Sequence, residues 1–420
     1  MIDPKLIREN PEMVKKNTRE RNNDETVIDK WLVTDIKRNE LIKNRDEKRE
    51  IRNELSKGLK GKPDEATIKK VKDLKEEIDK LEGEFKEVEN QWNDLINQIP
   101  NIHPSDVPVG KSEDDNVDIE FIGEKPTFDF EPKDHLTLGL GLGILDFEAG
   151  AKVAGSQFYY LKGDTVLLEF ALIQYGLHKF IEKGYELFIT PDLAKSRYYL
   201  GTGYAPKGDE AQTYEIDGSD LGLIASAEVT MAGYHADHIF EKADLPKRYV
   251  AISHCYRQEG GAYGKYSKGL YRVHQFTKLE MFSYTLPEDS EAMHQEFLEI
   301  EKEIANDIGF HYKVIQQCTA DLGAIAAKKY DLEAWMPGRD GYGEITSTSN
   351  CTDYQARNLN IRYKDEDGTN KYPHMLNGTA IVLSRFPVAI LENFQQKDGS
   401  ILIPKVLQKY MGKEKIEAKK

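Results

Sequence analysis

An apolar residue recurs every three or four positions across residues 68–95: Ile68, Val71, Leu74, Ile78, Leu81, Phe85, Val88, Trp92 and Leu95. An α-helix places such a series along one side, so the spacing predicts a long helix with a single heptad-like seam. Residues 26–58 predict a preceding helix with a poorer seam of Val27, Trp31, Leu41 and Leu55, continued by Leu59. Gly58, Gly61 and Pro63 lie between the two and suit a reversal of direction. The pair reads as an antiparallel coiled-coil hairpin, roughly 50 Å long at ~1.5 Å rise per residue. One seam cannot enclose both helices, so much of this arm stands in solvent.

Across residues 37–62 there are ten basic and five acidic residues, a local positive excess in a chain whose net charge is −15. Either this is a solvated coiled-coil face, or the arm touches a nucleic-acid backbone. The acidic total argues against nucleic acid binding over the whole surface. Cys255, Cys318 and Cys351 are far apart and form no CxxC, which suits a reducing compartment and offers no disulfide framework or zinc knuckle. The opening MIDPKLIREN lacks the apolar run of a signal peptide, and no stretch approaches the ~20 apolar residues of a membrane helix. A cytoplasmic protein with no membrane partner is expected.

Residues 99–116, IPNIHPSDVPVGKSEDDN, read as a linker, giving an N-terminal domain over 1–110 and a second domain over 111–420. In the second, strand-like runs at 157–162, 186–190 and 249–255 alternate with helical runs at 165–183 and 289–306. Glycine loops of hairpin type outnumber helical crossovers. The fold class expected is α+β, a mostly antiparallel sheet flanked by helices.

CYRQEGGAYGKYSKGLYRVHQFTKLEMF, residues 255–282, reads as a strand, a glycine-rich loop and a return strand. Arg257 and Glu259 share one face, as do Arg272, His274, Phe276, Lys278 and Glu280. Burying so many charges as a core face would cost too much. The face is either exposed, with cross-strand ion pairs, or the floor of a polar ligand site. An aromatic for a base, an arginine for a phosphate and carboxylates for amino groups would suit a nucleotide and an amine.

These residues carry a resemblance. YRQE, a loop, RVHQF and then Glu280 resemble the second signature motif of class II aminoacyl-tRNA synthetases, and HQFTKLE is similar to seryl-tRNA synthetases in particular. LIASAEV, EITSTSNCTDYQAR and LNGTAIVLSRFPVAILENFQ resemble further segments of that family. FIEKGYELFITPDL resembles its first motif, which forms a homodimer interface. The resemblance implies a serine–tRNA ligase that activates L-serine with ATP, releases pyrophosphate, and transfers serine to the 3′ end of tRNA(Ser). It leaves open whether tRNA(Sec) is also charged.

The site residues implied are as follows. Arg257, Glu259 and Arg385 would carry the chemistry, by binding phosphate, the adenine amino group and the nucleotide. Gln258, Val273, Phe276, Ile345 and Thr346 would complete the ATP site, with Phe276 stacking on adenine. Glu344 and Ser347 would hold Mg²⁺, a hard cation that takes oxygen ligands. Ser226, Ala227, Glu228, Glu280 and Thr379, with Arg257, would bind serine. Arg38, Arg45, Arg49, Arg52, Lys265 and Lys268 would contact tRNA. Ser226 stands where the family usually has threonine, Lys265 and Lys268 where it often has arginine, and Ala380 and Ser384 where it has glycine. A ligase for another small amino acid and a non-catalytic paralogue are the rival readings.

Overall fold

The computed structural model describes residues 1–57, 64–204, 212–259 and 268–417. Its contacts divide the chain into two compact units, Met1–Ile102 and His103–Lys420. The division falls ahead of the boundary read from composition because the linker binds the second unit. Thr319 N–H donates to the Pro108 carbonyl at 2.8 Å, and Lys328 Nζ lies 2.7 Å from Asp106.

In the first unit, helices α1 (Thr26–Lys57) and α2 (Glu65–Ile96) form the antiparallel arm. Asp64 caps α2 by accepting the Thr67 N–H at 2.6 Å. The turn residues Gly58, Gly61 and Pro63 lie outside the described residues. The seam is buried at Val27, Trp31 and Leu41 on one helix and at Leu74, Ile78, Val88 and Trp92 on the other. Ile68 is exposed, so the seam opens within the first turns of α2. At the base of the arm Asp35 accepts from Arg8 Nε and Nη2, at 2.7 and 2.8 Å, and from the Trp92 indole N–H at 2.9 Å.

In the second unit the principal elements are β1 (Val117–Ile122), α3 (Asp164–Glu182), β2 (Glu186–Ile189), α4 (Ala227–Tyr234), β3 (Lys247–Tyr256), β4 (Gln275–Thr285), α5 (Ser290–Ile308), β5 (Tyr312–Gln316), β6 (Lys328–Met336), β7 (Gly341–Asn350), β8 (His374–Val382) and α6 (Arg385–Asn393). The strands form one eight-stranded sheet in the order β1-β5-β6-β7-β8-β4-β3-β2. Every neighbouring pair is antiparallel except β2 and β3, which are parallel. The run at 157–162 contributes only the two-residue strand Tyr160–Leu161.

Side chains alternate across a strand. On β4, Leu279 and Met281 join the core formed by Leu172 of α3, Phe297 of α5 and Ile390 of α6. Phe276, Lys278 and Glu280 are therefore turned to the opposite face. No described helix is long and apolar enough to cross a membrane. All three cysteines are buried, and none forms a disulfide.

Candidate active site

The antiparallel pair β3–β4 sets Cys255 opposite Phe276, Ser253 opposite Lys278 and Ala251 opposite Glu280. The first strand stops at Tyr256 and the second starts at Gln275, so both end short of the loop. Arg257 N–H still bonds the His274 carbonyl at 3.0 Å, but Glu259 has φ of 52°, a left-handed conformation that ends the extended run. The loop that follows, and with it Lys265, lies outside the described residues. Lys268 Nζ lies 2.8 Å from the Asp134 carboxylate.

A cleft of about 410 Å³ opens over this sheet face. Arg257, Glu259, Val273, Phe276, Lys278, Glu344, Thr379 and Arg385 line it, together with Tyr271, Arg272, Val382 and Ser384. The Arg257 guanidinium lies 5.3 Å from the Phe276 ring centre, and its Nε donates to the Ala225 carbonyl at 3.2 Å. Glu259 is paired with Arg272. Gln258 is turned elsewhere, its amide donating to the Thr213 carbonyl at 2.7 Å.

Arg385 opens α6 at the edge of the cleft. One of its nitrogens lies 2.7 Å from Glu344, and its guanidinium lies 5.1 Å from the Tyr271 ring centre. Recession into the site opposes ionisation of Glu344, but Arg385 outweighs it and holds the carboxyl below its ordinary value. Asp331, across from Ser347 on β6, is the contrary case: burial, aided by the Glu344 charge, pushes it up to about 7. Ile345 belongs to the core, and the Thr346 hydroxyl donates to the buried Glu301 at 3.0 Å. These two side chains face away from the cleft. Ser384 has φ of −103°, and Ala380 is not among the positive-φ residues, so neither replacement of a family glycine meets backbone strain.

Lys278 Nζ lies 2.6 Å from Glu280 and 3.5 Å from the Thr379 hydroxyl, which itself donates to Glu280 at 3.3 Å. Beside this group sits Glu228, on the first turn of α4. Ser226 caps that helix, its hydroxyl accepting the Glu228 N–H at 3.1 Å, and Ala227 is fully buried behind it. The Glu228 carboxylate accepts from Tyr204 at 2.8 Å, Gln355 at 2.7 Å and Asn377 at 3.0 Å. Burial raises its pKa. Lys278, Tyr204, Gln355, Asn377 and Tyr271 were not singled out as site residues from sequence. Gln355 and Asn377 lie inside the quoted family-like runs, and Lys278 on the charged hairpin face, so a signal existed for those three. Tyr271 lies in the quoted hairpin run directly before RVHQF, whereas Tyr204 had no such signal.

No group of three or more His, Cys, Asp or Glu side chains that could hold a metal occurs among the described residues. A magnesium ion does not need one, since it keeps waters and substrate oxygens around one or two protein ligands. Glu344 supplies a carboxylate, and the Ser347 hydroxyl, which interacts with the buried Asp331 carboxyl, adds a second oxygen. That oxygen pair fits a hard cation.

On the arm, Arg38 pairs with Glu89 at 2.9 Å and lies over Trp92, while Arg49 pairs with Glu82 at 2.6 Å. Arg45 lies over Phe85 and pairs with Asp46, and Arg52 bonds Asn53 at 3.3 Å. Arg38 and Arg49 therefore tie the two helices together across the hairpin.

Residues 1–103 match the family model described as seryl-tRNA synthetase N-terminal domain. Residues 213–394 match that of the tRNA synthetase class II core domain (G, H, P, S and T). The chain is 51% identical over 425 residues to a serine–tRNA ligase of Dictyoglomus turgidum, covering all of both chains. It is 49% identical to that of Treponema denticola, over 99% of this chain and all of the relative. Among solved structures, seryl-tRNA synthetase from Pyrococcus horikoshii complexed with ATP superposes with a TM-score of 0.90 at 40% identity, again covering both chains fully.

Proposed function

The chain belongs to the seryl-tRNA synthetase family, and from that membership we infer that it is a serine–tRNA ligase working through the cleft on β3, β4, β7 and β8. In the first step a serine carboxylate oxygen attacks the α-phosphorus of ATP. The bond to the bridging oxygen breaks and pyrophosphate leaves. In the second, a terminal ribose hydroxyl of tRNA(Ser) attacks the seryl carbonyl and AMP leaves. Neither step needs a protein nucleophile, so positioning and charge neutralisation lower the barrier.

Arg257 binds the α-phosphate and the serine carboxylate, which a planar multi-donor group does well. Phe276 carries adenine, with Glu259 at its amino group and the main chain at Val273 alongside. Gln258 acts by tethering the strand end, and Ile345 and Thr346 through their backbone. Arg385 takes the outer phosphates. Glu344 and Ser347 would hold Mg²⁺, which neutralises phosphate charge when bound. Glu228 and Glu280 meet the serine ammonium, and Glu280 with Thr379 its hydroxyl. A site that hydrogen-bonds a hydroxyl can reject the analogue lacking it by ~10⁴-fold or more.

The first unit is the tRNA-binding domain, its arm reading the shape of a long tRNA arm through backbone contacts. A tRNA(Sec) is a second acceptor to try in the same assay. A homodimer forms through α3 and the edge strand β2, where Phe170 and Ile189 are 58% and 84% exposed beside Val166, Leu167 and Ile181. An apolar stripe of that extent calls for a partner. Buried cysteines without disulfides suit a cytoplasmic setting.

The observation that carries this reading is the convergence of Arg257, Phe276, Glu344 and Arg385 on one cleft beside the Lys278–Glu280–Thr379 group. The test separates the two steps. Arg385→Ala should abolish serine-dependent pyrophosphate exchange. Arg45→Glu with Arg52→Glu should impair tRNA charging and spare exchange; equal loss of both activities in the arm variant would refute its assignment.

A further inference from the structure

We propose that His135 and Glu392, outside the cleft, are positioning residues that fix the return of the glycine-rich loop into the nucleotide site. Both side chains are almost fully buried, at 0% and 1% exposure. Glu392 sits on α6, the helix that Arg385 opens. One of its oxygens accepts the His135 backbone N–H at 3.0 Å and faces His135 Nδ1 at 2.7 Å. The other accepts the Gly338 N–H at 2.8 Å. With Nδ1 donating to a carboxylate, Nε2 is left as an acceptor, and it takes the Leu270 N–H at 3.2 Å. Both bonds coexist only in the Nδ1–H tautomer.

Leu270 lies within the short turn Gly269–Tyr271, at the point where the chain re-enters the described residues. Gly269 has φ of 56°, and a Cβ there would sit 2.3 Å from His135 Nε2, so the turn is pressed against the imidazole. The next residue, Tyr271, lines the cleft, lies under Arg385 and donates its hydroxyl to the Glu344 carbonyl at 3.3 Å. Arg272 and Val273, also in the lining, follow directly. One buried pair thus joins the loop's return, the Arg385 helix and the turn at Gly338. The catalytic effect is pre-organisation of the residues that meet ATP.

This proposal rests on the cleft being the nucleotide site. The isosteric pair His135→Asn and His135→Gln separates the two hydrogen bonds. Asn keeps a donor near Nδ1 and loses the acceptor for Leu270, whereas Gln keeps an acceptor near Nε2. In pyrophosphate exchange, His135→Asn should raise KM for ATP about tenfold, the cost of leaving one buried N–H unpaired, with KM for serine within about twofold. His135→Gln should recover most of that loss. Equal KM for ATP in the two variants, or parallel rises for ATP and serine, would overturn the proposal. In the unmodified protein, hydrogen exchange over residues 268–274 should show a protected Leu270 amide; exchange as fast as in an open loop would overturn it without any variant. Arg385→Ala is the control: if it leaves pyrophosphate exchange intact, the reading of the cleft fails rather than the role of His135.

Discussion

Replacing Lys278 by methionine is the most revealing perturbation of the serine end of the site. Its side chain and that of Glu280 are 6% and 2% exposed, with nitrogen and oxygen 2.6 Å apart. Methionine fills similar volume but leaves the Glu280 carboxylate buried with the Thr379 hydroxyl as its remaining partner among the described residues. Breaking a buried ion pair by removing one member costs about 3–5 kcal/mol, largely from the stranded charge. Denaturant unfolding of Lys278→Met should show a loss of that size. In pyrophosphate exchange KM for serine should rise by ~100-fold, because the group meeting the serine hydroxyl is no longer fixed. The double variant Lys278→Met/Glu280→Gln removes the stranded charge as well. It should regain more than half of the lost stability while serine binding stays poor, a coupling that a double-mutant cycle measures directly. A single variant within about 1 kcal/mol of wild type would refute the view of the pair as a mutually dependent buried unit.

Three further outcomes are expected. Glu301 is fully buried, and burial holds its pKa well above the ordinary 4.5, so its contribution to stability is complete below that value and is lost as pH rises towards the folded pKa. Glu301→Gln should therefore gain in melting temperature relative to wild type as pH is raised, and a difference that shrinks with pH would contradict this. A Cβ on Gly343 would lie 2.9 Å from the Tyr271 hydroxyl, so Gly343→Ala should displace Tyr271 and raise KM for ATP more than KM for serine in exchange assays. Phe170→Asp should convert a dimer to monomer in sedimentation, whereas an unchanged mass would place the interface elsewhere.

What the sequence made legible was whatever repeats or clusters along the chain. The seam from Leu74 to Trp92 announces α2 because helical periodicity and burial coincide there. Arg257, Phe276 and Glu280 are readable because several charges beside an aromatic on one strand face are hard to reconcile with a core. Glu259 illustrates the limit: β3 stops at Tyr256 and Glu259 turns left-handed, and nothing in the residue types signals it. Ile345 and Thr346 follow Glu344 in the chain, yet their side chains join the core and Glu301. His135, Tyr204 and Glu392 matter through contacts with residues distant in the chain, which no local pattern encodes. Arg38 and Arg49 look like nucleic-acid ligands by charge alone, and only the pairing with Glu89 and Glu82 reveals their structural part.

A crystal structure with a non-hydrolysable seryl-adenylate analogue would test the site assignment most directly. Adenine should lie against Phe276, the phosphate-like group at Arg257, and the seryl hydroxyl within hydrogen-bonding distance of Thr379 and Glu280. An analogue bound elsewhere on the sheet, or one with its seryl end turned away from Glu280, would contradict it.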